Sequence, residues 1–211
     1  MKKIQVIAVS FIILMSTTGF FAVNAYLNTP IVVHIPMIIG SVALTETNAE
    51  AAKISAIADQ IRNARPGQEV LIHINSYGGV VFNALEVINA MKATKGHTVA
   101  ILDGAVISAG SMIALSAQEM RVEEHSVVLI HMASGGDPTN PILVWMNTEV
   151  LFNQIKDILT PEELGAVYSG IAWVAKGEVL KDRFDKLHKL GKYAPPQQLT
   201  VIEMVKRLVS E

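Results

Sequence analysis

A serine, a histidine and a glycine pair are the residues whose types and spacing could support covalent catalysis. Ser108 lies among small residues where a helix is predicted to begin, and His131 directly follows the apolar run 127–130. Gly78 and Gly79 follow another apolar run, 70–74. A hydroxyl next to an imidazole is the arrangement of a nucleophile with its general base. We therefore expect Ser108 and His131 to meet, with glycine N–H groups nearby to stabilise a negatively charged oxygen.

Each of these residues also has a structural interpretation. Ser108 could be a small residue packed where a helix crosses a strand, and a histidine that closes an apolar strand is often part of the core. The Gly78–Gly79 pair is also typical of a strand-to-helix turn with positive φ. Ser111 is a rival nucleophile on the same predicted helix. Val106 stands where a G-x-S-x-G motif would have its first glycine, so that motif is absent.

The pattern of apolar residues predicts the elements that position these side chains. Strands are predicted at 70–74, 99–102 and 127–130, and helices at 49–64 and 80–93, with a turn at Asp103 and Gly104. Strands that alternate with helices indicate an α/β fold with right-handed crossovers and a largely parallel sheet. Ligands bind beyond the carboxyl ends of such strands, which is where Gly79, Ser108 and His131 are expected.

The second half of the chain is predicted to be mainly helical. A helix is expected over 141–159, and the next starts with Thr160 as its N-cap and Pro161 at its first position. Ser169 and Gly170 should end that helix. A mixed helical stretch over 176–190, a proline-containing linker at 194–196 and an amphipathic helix over 199–209 complete the chain.

Composition excludes several classes of function. The 211 residues carry 17 basic and 19 acidic side chains, a net charge of −2, with no basic stripe, so we expect no nucleic-acid partner. The absence of cysteine excludes disulfides and thiolate metal sites, and the histidines lack metal-ligand spacing. No glycine-rich nucleotide motif is present. We expect neither a metal nor an organic cofactor.

The first 25 residues have the pattern of an export signal. Lys2 and Lys3 precede the apolar stretch 4–23, and small residues at Val23 and Ala25 fit cleavage after Ala25. The alternative is an uncleaved membrane anchor, because the apolar stretch is long enough to span a bilayer. Both interpretations place the folded part outside the cytoplasm. We divide the remainder into a linker or edge strand at 26–36, a catalytic domain at 37–193 and a C-terminal segment at 194–211.

Three motifs resemble those of the Clp protease proteolytic-subunit family. They are INSYGG at 74–79, GAVISAGSMIAL at 104–115 and LIHMASGG at 129–136, and their order and spacing agree with the family over about residues 38–160. The resemblance implies a spiral of β-β-α units, shared with crotonases, extended by a helix after the histidine. It implies Ser108 as nucleophile, His131 as base, and the N–H groups of Gly79 and Ala109 as an oxyanion hole. Tyr77 stands where the family usually has proline.

The resemblance leaves the third member of the catalytic triad open. The family's aspartate position aligns with Ile171, which cannot orient an imidazole. A backbone carbonyl or another polar side chain would have to take this role, and the candidates are Ser169, Asp157, Asp182 and Asp185. Lys176 is a remote candidate for an alternative base.

Three hypotheses on function follow from this resemblance and from the missing acid. The first is a serine endopeptidase that cleaves peptides or unfolded proteins and, by the resemblance, forms a homo-oligomeric ring. An exported form could not use a cytosolic ATP-driven unfoldase, so it would act unaided or with a membrane-associated partner. The second is a catalytically inactive assembly protein, favoured by Ile171. The third is a crotonase-type acyl-CoA enzyme, although such enzymes typically use carboxylates rather than a serine–histidine pair.

Overall fold

The computed structural model describes residues 29–36, 39, 48–134 and 139–190, with side chains in the first helix described from residue 52. The strands are β1 (Ile31–Ile35), β2 (Glu69–Ser76), β3 (His97–Ile107), β4 (Glu119–Val122), β5 (Val127–Ile130) and β6 (Trp173–Lys176). The helices are α1 (Asn48–Arg62), α2 (Val81–Ala93), α3 (Ala109–Leu115), α4 (Pro141–Trp145), a π-helix (Met146–Phe152), α5 (Asn153–Ile155), α6 (Pro161–Tyr168) and α7 (Gly177–Lys189).

The strands form one mixed sheet in the order β1-β2-β3-β5-β6, with β4 also paired to β3. All pairs are parallel except that of β5 with β6, which is antiparallel. The expected α/β fold with a largely parallel sheet is therefore confirmed. Strand β1 lies at the edge of the sheet and is flanked by Pro30 and Pro36. Proline lacks the N–H that a central strand needs, so it is tolerated at this edge.

The predicted turn at Asp103 and Gly104 is wrong, because β3 continues through them to Ile107. The first half of β3 pairs with β4 and its second half pairs with β5. The change of partner coincides with a register shift against β2, where the Asn75 side chain accepts a hydrogen bond from the Ala105 N–H at 3.0 Å. A Cβ at position 104 would lie 2.5 Å from the Asn75 Oδ1, so glycine there allows the strand to continue.

One face of the sheet is covered by α1, α2 and α3, as the helical spacing predicts. Their inward residues and those of the central strands form the largest buried cluster, which includes Ile54, Ala58, Ile61, Val70, Ile72, Ile74, Ala84, Ile88, Leu102, Ile113 and Leu115. Each fully buried valine, leucine or isoleucine contributes about 1.5–3 kcal/mol through its removal from water. This packing fixes the direction of the three strands that point toward the cavity described below.

Two strands were not predicted. Both β4 and β6 have four residues that mix charged and apolar side chains, so neither has the alternation of a longer half-buried strand. The predicted helix over 141–159 is also corrected: α4, the π-helix and α5 follow one another only to Ile155, and a turn precedes Thr160. The predicted cap is confirmed, since Thr160 and Glu163 form a reciprocal capping box with Pro161 in the first turn.

Some predictions concern residues outside the described ranges. These are the export signal or anchor at 1–25 and the C-terminal segment from 194, and the division into domains stays a prediction. Among the described residues, no helix is long and apolar enough to cross a membrane.

The Glu163 carboxylate joins α6, β6 and α7. It accepts hydrogen bonds from Arg183 at 2.6 and 3.0 Å and from the Trp173 indole N–H at 3.0 Å, in addition to the Thr160 N–H at 2.9 Å. The Arg183 guanidinium, above all, lowers the pKa of Glu163 from 4.5 to about 2. A carboxyl with a depressed pKa stabilises the folded state above its unfolded pKa, and this contribution is lost as the pH falls toward its folded pKa.

We expect Glu163→Gln to reduce the free energy of unfolding by roughly 1–3 kcal/mol at pH 7, the usual value of hydrogen bonds to charged groups. Because the wild-type carboxylate is protonated at low pH, the difference between the two proteins should shrink as the pH falls from 4.5 toward about 2. Urea denaturation at pH 7 and between pH 4.5 and about 2 measures the loss of stability and its decrease at low pH. Asp182→Asn, which removes an exposed ion pair with Lys186, is the control and should change stability by less than about 0.5 kcal/mol. A pH-independent effect of Glu163→Gln would contradict this account.

Candidate active site

A cavity of about 420 Å³ lies at the carboxyl ends of β2, β3 and β5. The three strands end at Ser76, Ile107 and Ile130, and the residues just beyond them, Gly79, Ser108 and His131, all line the cavity. The structure thus places the glycine turn, the serine and the histidine together. The other lining residues are Tyr77, Val80, Val81, Phe82, Ala133, Ser134, Asn140, Ile142, Leu143 and Met146.

Ser108 has an unusual backbone conformation at the junction of β3 and α3. Its φ of 55° and ψ of −120° lie in a region that residues with a side chain rarely adopt, which costs of the order of 1–3 kcal/mol. The conformation is held by the Ser108 N–H, which donates to the Leu129 carbonyl at 2.9 Å. A sharp strand-to-helix turn therefore places Ser108 at the wall of the cavity, although Val106 departs from the G-x-S-x-G motif.

Gly78 makes this turn possible. Its φ is +85°, and a Cβ at this position would lie 2.7 Å from the Ile107 carbonyl oxygen and 2.8 Å from the Ser108 Cβ. The same Cβ would lie 3.0 Å from the Ala109 nitrogen. The β2 turn therefore packs directly against the serine backbone, and only glycine fits between them.

Ser111 does not compete with Ser108 as a nucleophile. Its side chain is buried, and its hydroxyl donates to the Ser108 carbonyl at 2.6 Å. Ser111 therefore supports the turn that carries Ser108.

Two backbone N–H groups are available near Ser108. Ala109 is the first residue of α3, and the first N–H groups of a helix have no acceptor within the helix. The Ile39 N–H donates to the Gly78 carbonyl at 2.7 Å, and the Ile39 carbonyl accepts the Val80 N–H at 2.8 Å. These two bonds form a parallel bridge in which Gly79 lies opposite Ile39. In such a bridge, the N–H of the central residue points away from the partner. The N–H groups of Ala109 and Gly79 can thus serve a ligand.

His131 is oriented by a backbone carbonyl. Its Nδ1 lies 2.6 Å from the Met132 carbonyl oxygen. A carbonyl only accepts hydrogen bonds, so Nδ1 carries the proton of the neutral ring, and Nε2 keeps its lone pair. This is the tautomer that a general base requires. Among the described residues, no direct hydrogen bond joins His131 to Ser108; such bonds are often long before substrate binds.

None of the polar candidates for the third triad position contacts His131. Asp182 pairs with Lys186 and Asp185 pairs with Lys181 on α7, and the Ser169 hydroxyl donates to the Gly165 carbonyl. Asp157 is exposed in the turn before α6. The sequence left a backbone carbonyl or a polar side chain open as the partner of the imidazole. In the structure, that partner is the Met132 carbonyl.

Ile171 lies just before β6, the strand that pairs with β5. The antiparallel register ends with Ile130 opposite Trp173, so continuing it would set position 171 opposite Met132. The Ile171 side chain is 62% exposed and carries no polar atom. An acid is therefore missing at the position where the fold would bring one near the histidine segment.

Lys176 lies at the other end of β5 from His131. It pairs with Val127 and lines a separate cavity with Glu124 and His125. Four residues of strand, about 13 Å, separate the two ends. Lys176 therefore lines a different cavity from Ser108, and the structure does not bring the two together. Within the described ranges, no group of three histidine or acidic side chains could hold a metal ion.

The apolar wall of the cavity was not predicted from residue types and spacing. Phe82 at the start of α2 and Ile142 in α4 are 43% and 44% exposed, and Leu143 and Met146 lie beside them. Helical spacing assigns such residues to the core or to a subunit contact. The signal that could have identified them is their position directly after the glycine turn and after the histidine loop.

We expect Gly78→Ala to abolish any reaction at Ser108, because the added methyl group must displace the Ile107 carbonyl or the serine itself. Gly170→Ala is the matched control: it has a similar φ of +87° but no atom within 4 Å of the added Cβ. Labelling of Ser108 by a fluorophosphonate, with the melting temperature of each variant, measures the two effects. Both variants share the backbone strain, so equal labelling of the two would contradict the packing argument.

Comparison with protein-family models gives a match to the model described as Clp protease over residues 60–160. The matched region begins in the last turn of α1 and contains β2 to β5, α2 to α5 and the described cavity residues. It includes all three sequence motifs. The match and the mostly parallel α/β sheet are both consistent with a ClpP-like family.

Proposed function

We propose that this protein is a serine endopeptidase that hydrolyses peptide bonds through an acyl-enzyme on Ser108, with His131 as general base. The match to the Clp protease model supports a ClpP-like peptidase in general. The observation that carries the specific proposal is that Ser108, in its strained turn, shares one cavity with His131 in the required tautomer.

The reaction would follow the acyl-transfer sequence of serine hydrolases. His131 Nε2 takes the proton of Ser108 Oγ as the oxygen attacks the substrate carbonyl, and the N–H groups of Gly79 and Ala109 donate to the resulting oxyanion. His131 then gives its proton to the departing amine. Water, deprotonated by the same imidazole, releases the acyl group and restores the serine.

The Met132 carbonyl can only partly replace an acid. It selects the Nδ1–H tautomer, whose loss accounts for a fall of about 10⁴ in rate when a serine protease has its aspartate replaced by asparagine. A neutral carbonyl stabilises the imidazolium less than a carboxylate does. We therefore propose a peptidase that is slow relative to complete triads.

The apolar wall supports a preference for substrates with a large apolar side chain. Phe82, Ile142 and Met146 stand around the same cavity as Ser108, and burial of one aliphatic or aromatic side chain there is worth about 1.5–3 kcal/mol.

Assembly and location complete the proposal. Clp protease family members generally act on peptides and form oligomeric rings, and we propose the same here. We further propose that residues 1–25 direct export or anchor the chain. The protein would then cleave peptides or loosely folded proteins outside the cytoplasm, unaided or with a membrane-associated partner.

A fluorophosphonate probe tests the nucleophile. We expect wild type to be labelled, Ser108→Ala to be unlabelled, and His131→Ala to react at least about 1,000-fold more slowly, since both residues act as a unit. Ser134→Ala removes another hydroxyl from the same cavity and should label like wild type. Hydrolysis of fluorogenic peptides by the same variants should follow the same order. Absence of wild-type labelling above the Ser108→Ala background would overturn the proposal.

A catalytically inactive assembly protein is the second candidate, and the observation that favours it is the isoleucine at position 171. This candidate predicts a ring by analytical ultracentrifugation, with neither labelling nor peptide hydrolysis. Labelling at Ser108 with turnover would exclude it.

A further inference from the structure

We propose that Asn147 is a positioning residue for His131, which acts through the single peptide group between Met132 and Ala133. The Asn147 Oδ1 accepts the Ala133 N–H at 2.5 Å, and the Met132 carbonyl of that same peptide group accepts the His131 Nδ1–H at 2.6 Å. This inference rests on the proposed role of His131 as general base.

The planarity of the peptide group makes this coupling direct. The N–H and C=O of a trans peptide are held in one plane and point in opposite directions. An acceptor that fixes the Ala133 N–H therefore also fixes the direction of the Met132 carbonyl. Hydrogen bonds in series also polarise one another, so a bond at the N–H makes the carbonyl a better acceptor.

The second half of the Asn147 side chain prevents it from rotating away. Its Nδ2 donates to the Ala133 carbonyl at 3.3 Å, so the amide holds both backbone groups of Ala133. Trp145 and Met146, which precede Asn147, pack against the same alanine. The segment needs this support because β5 ends at Ile130, and residues 131–134 lie beyond the sheet ladder.

Asn147 lies in the π-helix, where it can reach across to the histidine segment. The π-helix also carries Met146, which lines the cavity. Asn153, which follows the π-helix, is a natural contrast, since its exposed side chain bonds only within its own helical segment, to Glu149 and Lys156. The two asparagines differ in this respect: only Asn147 connects the helix to the histidine segment.

The test compares Asn147→Leu, which keeps the branched shape but loses both hydrogen bonds, with Asn147→Asp, which keeps an acceptor for the Ala133 N–H. Asn153→Leu is the control. We expect the fluorophosphonate labelling rate to fall roughly 10- to 100-fold in Asn147→Leu, the cost of a misplaced catalytic group. Labelling should be partly restored in Asn147→Asp and unchanged in Asn153→Leu.

A second measurement reports on the imidazole independently of any activity. In ¹⁵N-histidine-labelled protein, with the signal assigned through His131→Ala, we expect wild type to show His131 protonated at Nδ1. Asn147→Leu should show a mixture of the two tautomers, while Asn153→Leu should not. Wild-type labelling and a wild-type tautomer in Asn147→Leu would overturn the inference.

The two readouts separate the two proposals. A wild type that is unlabelled, with a His131 tautomer that still depends on Asn147, would refute the peptidase and leave the positioning role standing. A labelled wild type, with neither readout affected by Asn147→Leu, would refute only the positioning role. If Asn147→Leu does not fold, Asn147→Ala, which also removes both hydrogen bonds, decides: a mixture of His131 tautomers with slower labelling supports the inference, and wild-type values in both readouts overturn it.

Discussion

The contact between Gly78 and the backbone of Ser108 is the constraint on which the site depends. Two strands, β2 and β3, end side by side, and the chain must turn into a helix after each of them. Space for both turns exists only because position 78 has no side chain. The strained conformation of Ser108 is thus held from one side by Gly78 and from the other by the bond from its N–H to Leu129 in β5. The same packing sets the Ala109 N–H beside the glycine turn.

The histidine side of the cavity is built on a different principle. Its residues lie beyond the end of β5, and hydrogen bonds from outside the sheet hold them. The Met132 carbonyl supplies an acceptor where an acid is absent at position 171. Electrostatically this is a weaker solution than a carboxylate, because the carbonyl carries only a dipole. The serine side is therefore fixed by steric packing, and the histidine side by a chain of neutral hydrogen bonds.

Much of this arrangement could be predicted from the sequence, and the failures have physical causes. Apolar runs before Gly78, Ser108 and His131 correctly indicated three strands whose ends converge, because parallel strands share an edge. The turn predicted at Asp103 and Gly104 was wrong because residue preference cannot reveal a strand that changes partner. The orientation of His131 could not be predicted, since a backbone carbonyl has no signature in the sequence. Asn147 gave no signal either, because it is one of several polar residues in this helical stretch, beside Thr148 and Glu149.

The antiparallel pairing of β5 with β6 has a consequence for the order in which the chain is made. β5 has three register pairs with β3 and four with β6, which lies beyond the region that matches the family model. A nascent chain that has emerged only as far as residue 160 holds both the serine and the histidine, but the outer edge of β5 is still bare. Unpaired edges attract other strands. Completion of the sheet, and with it protection from mispairing during synthesis, thus waits for the segment from Trp173 to Lys176 to leave the ribosome.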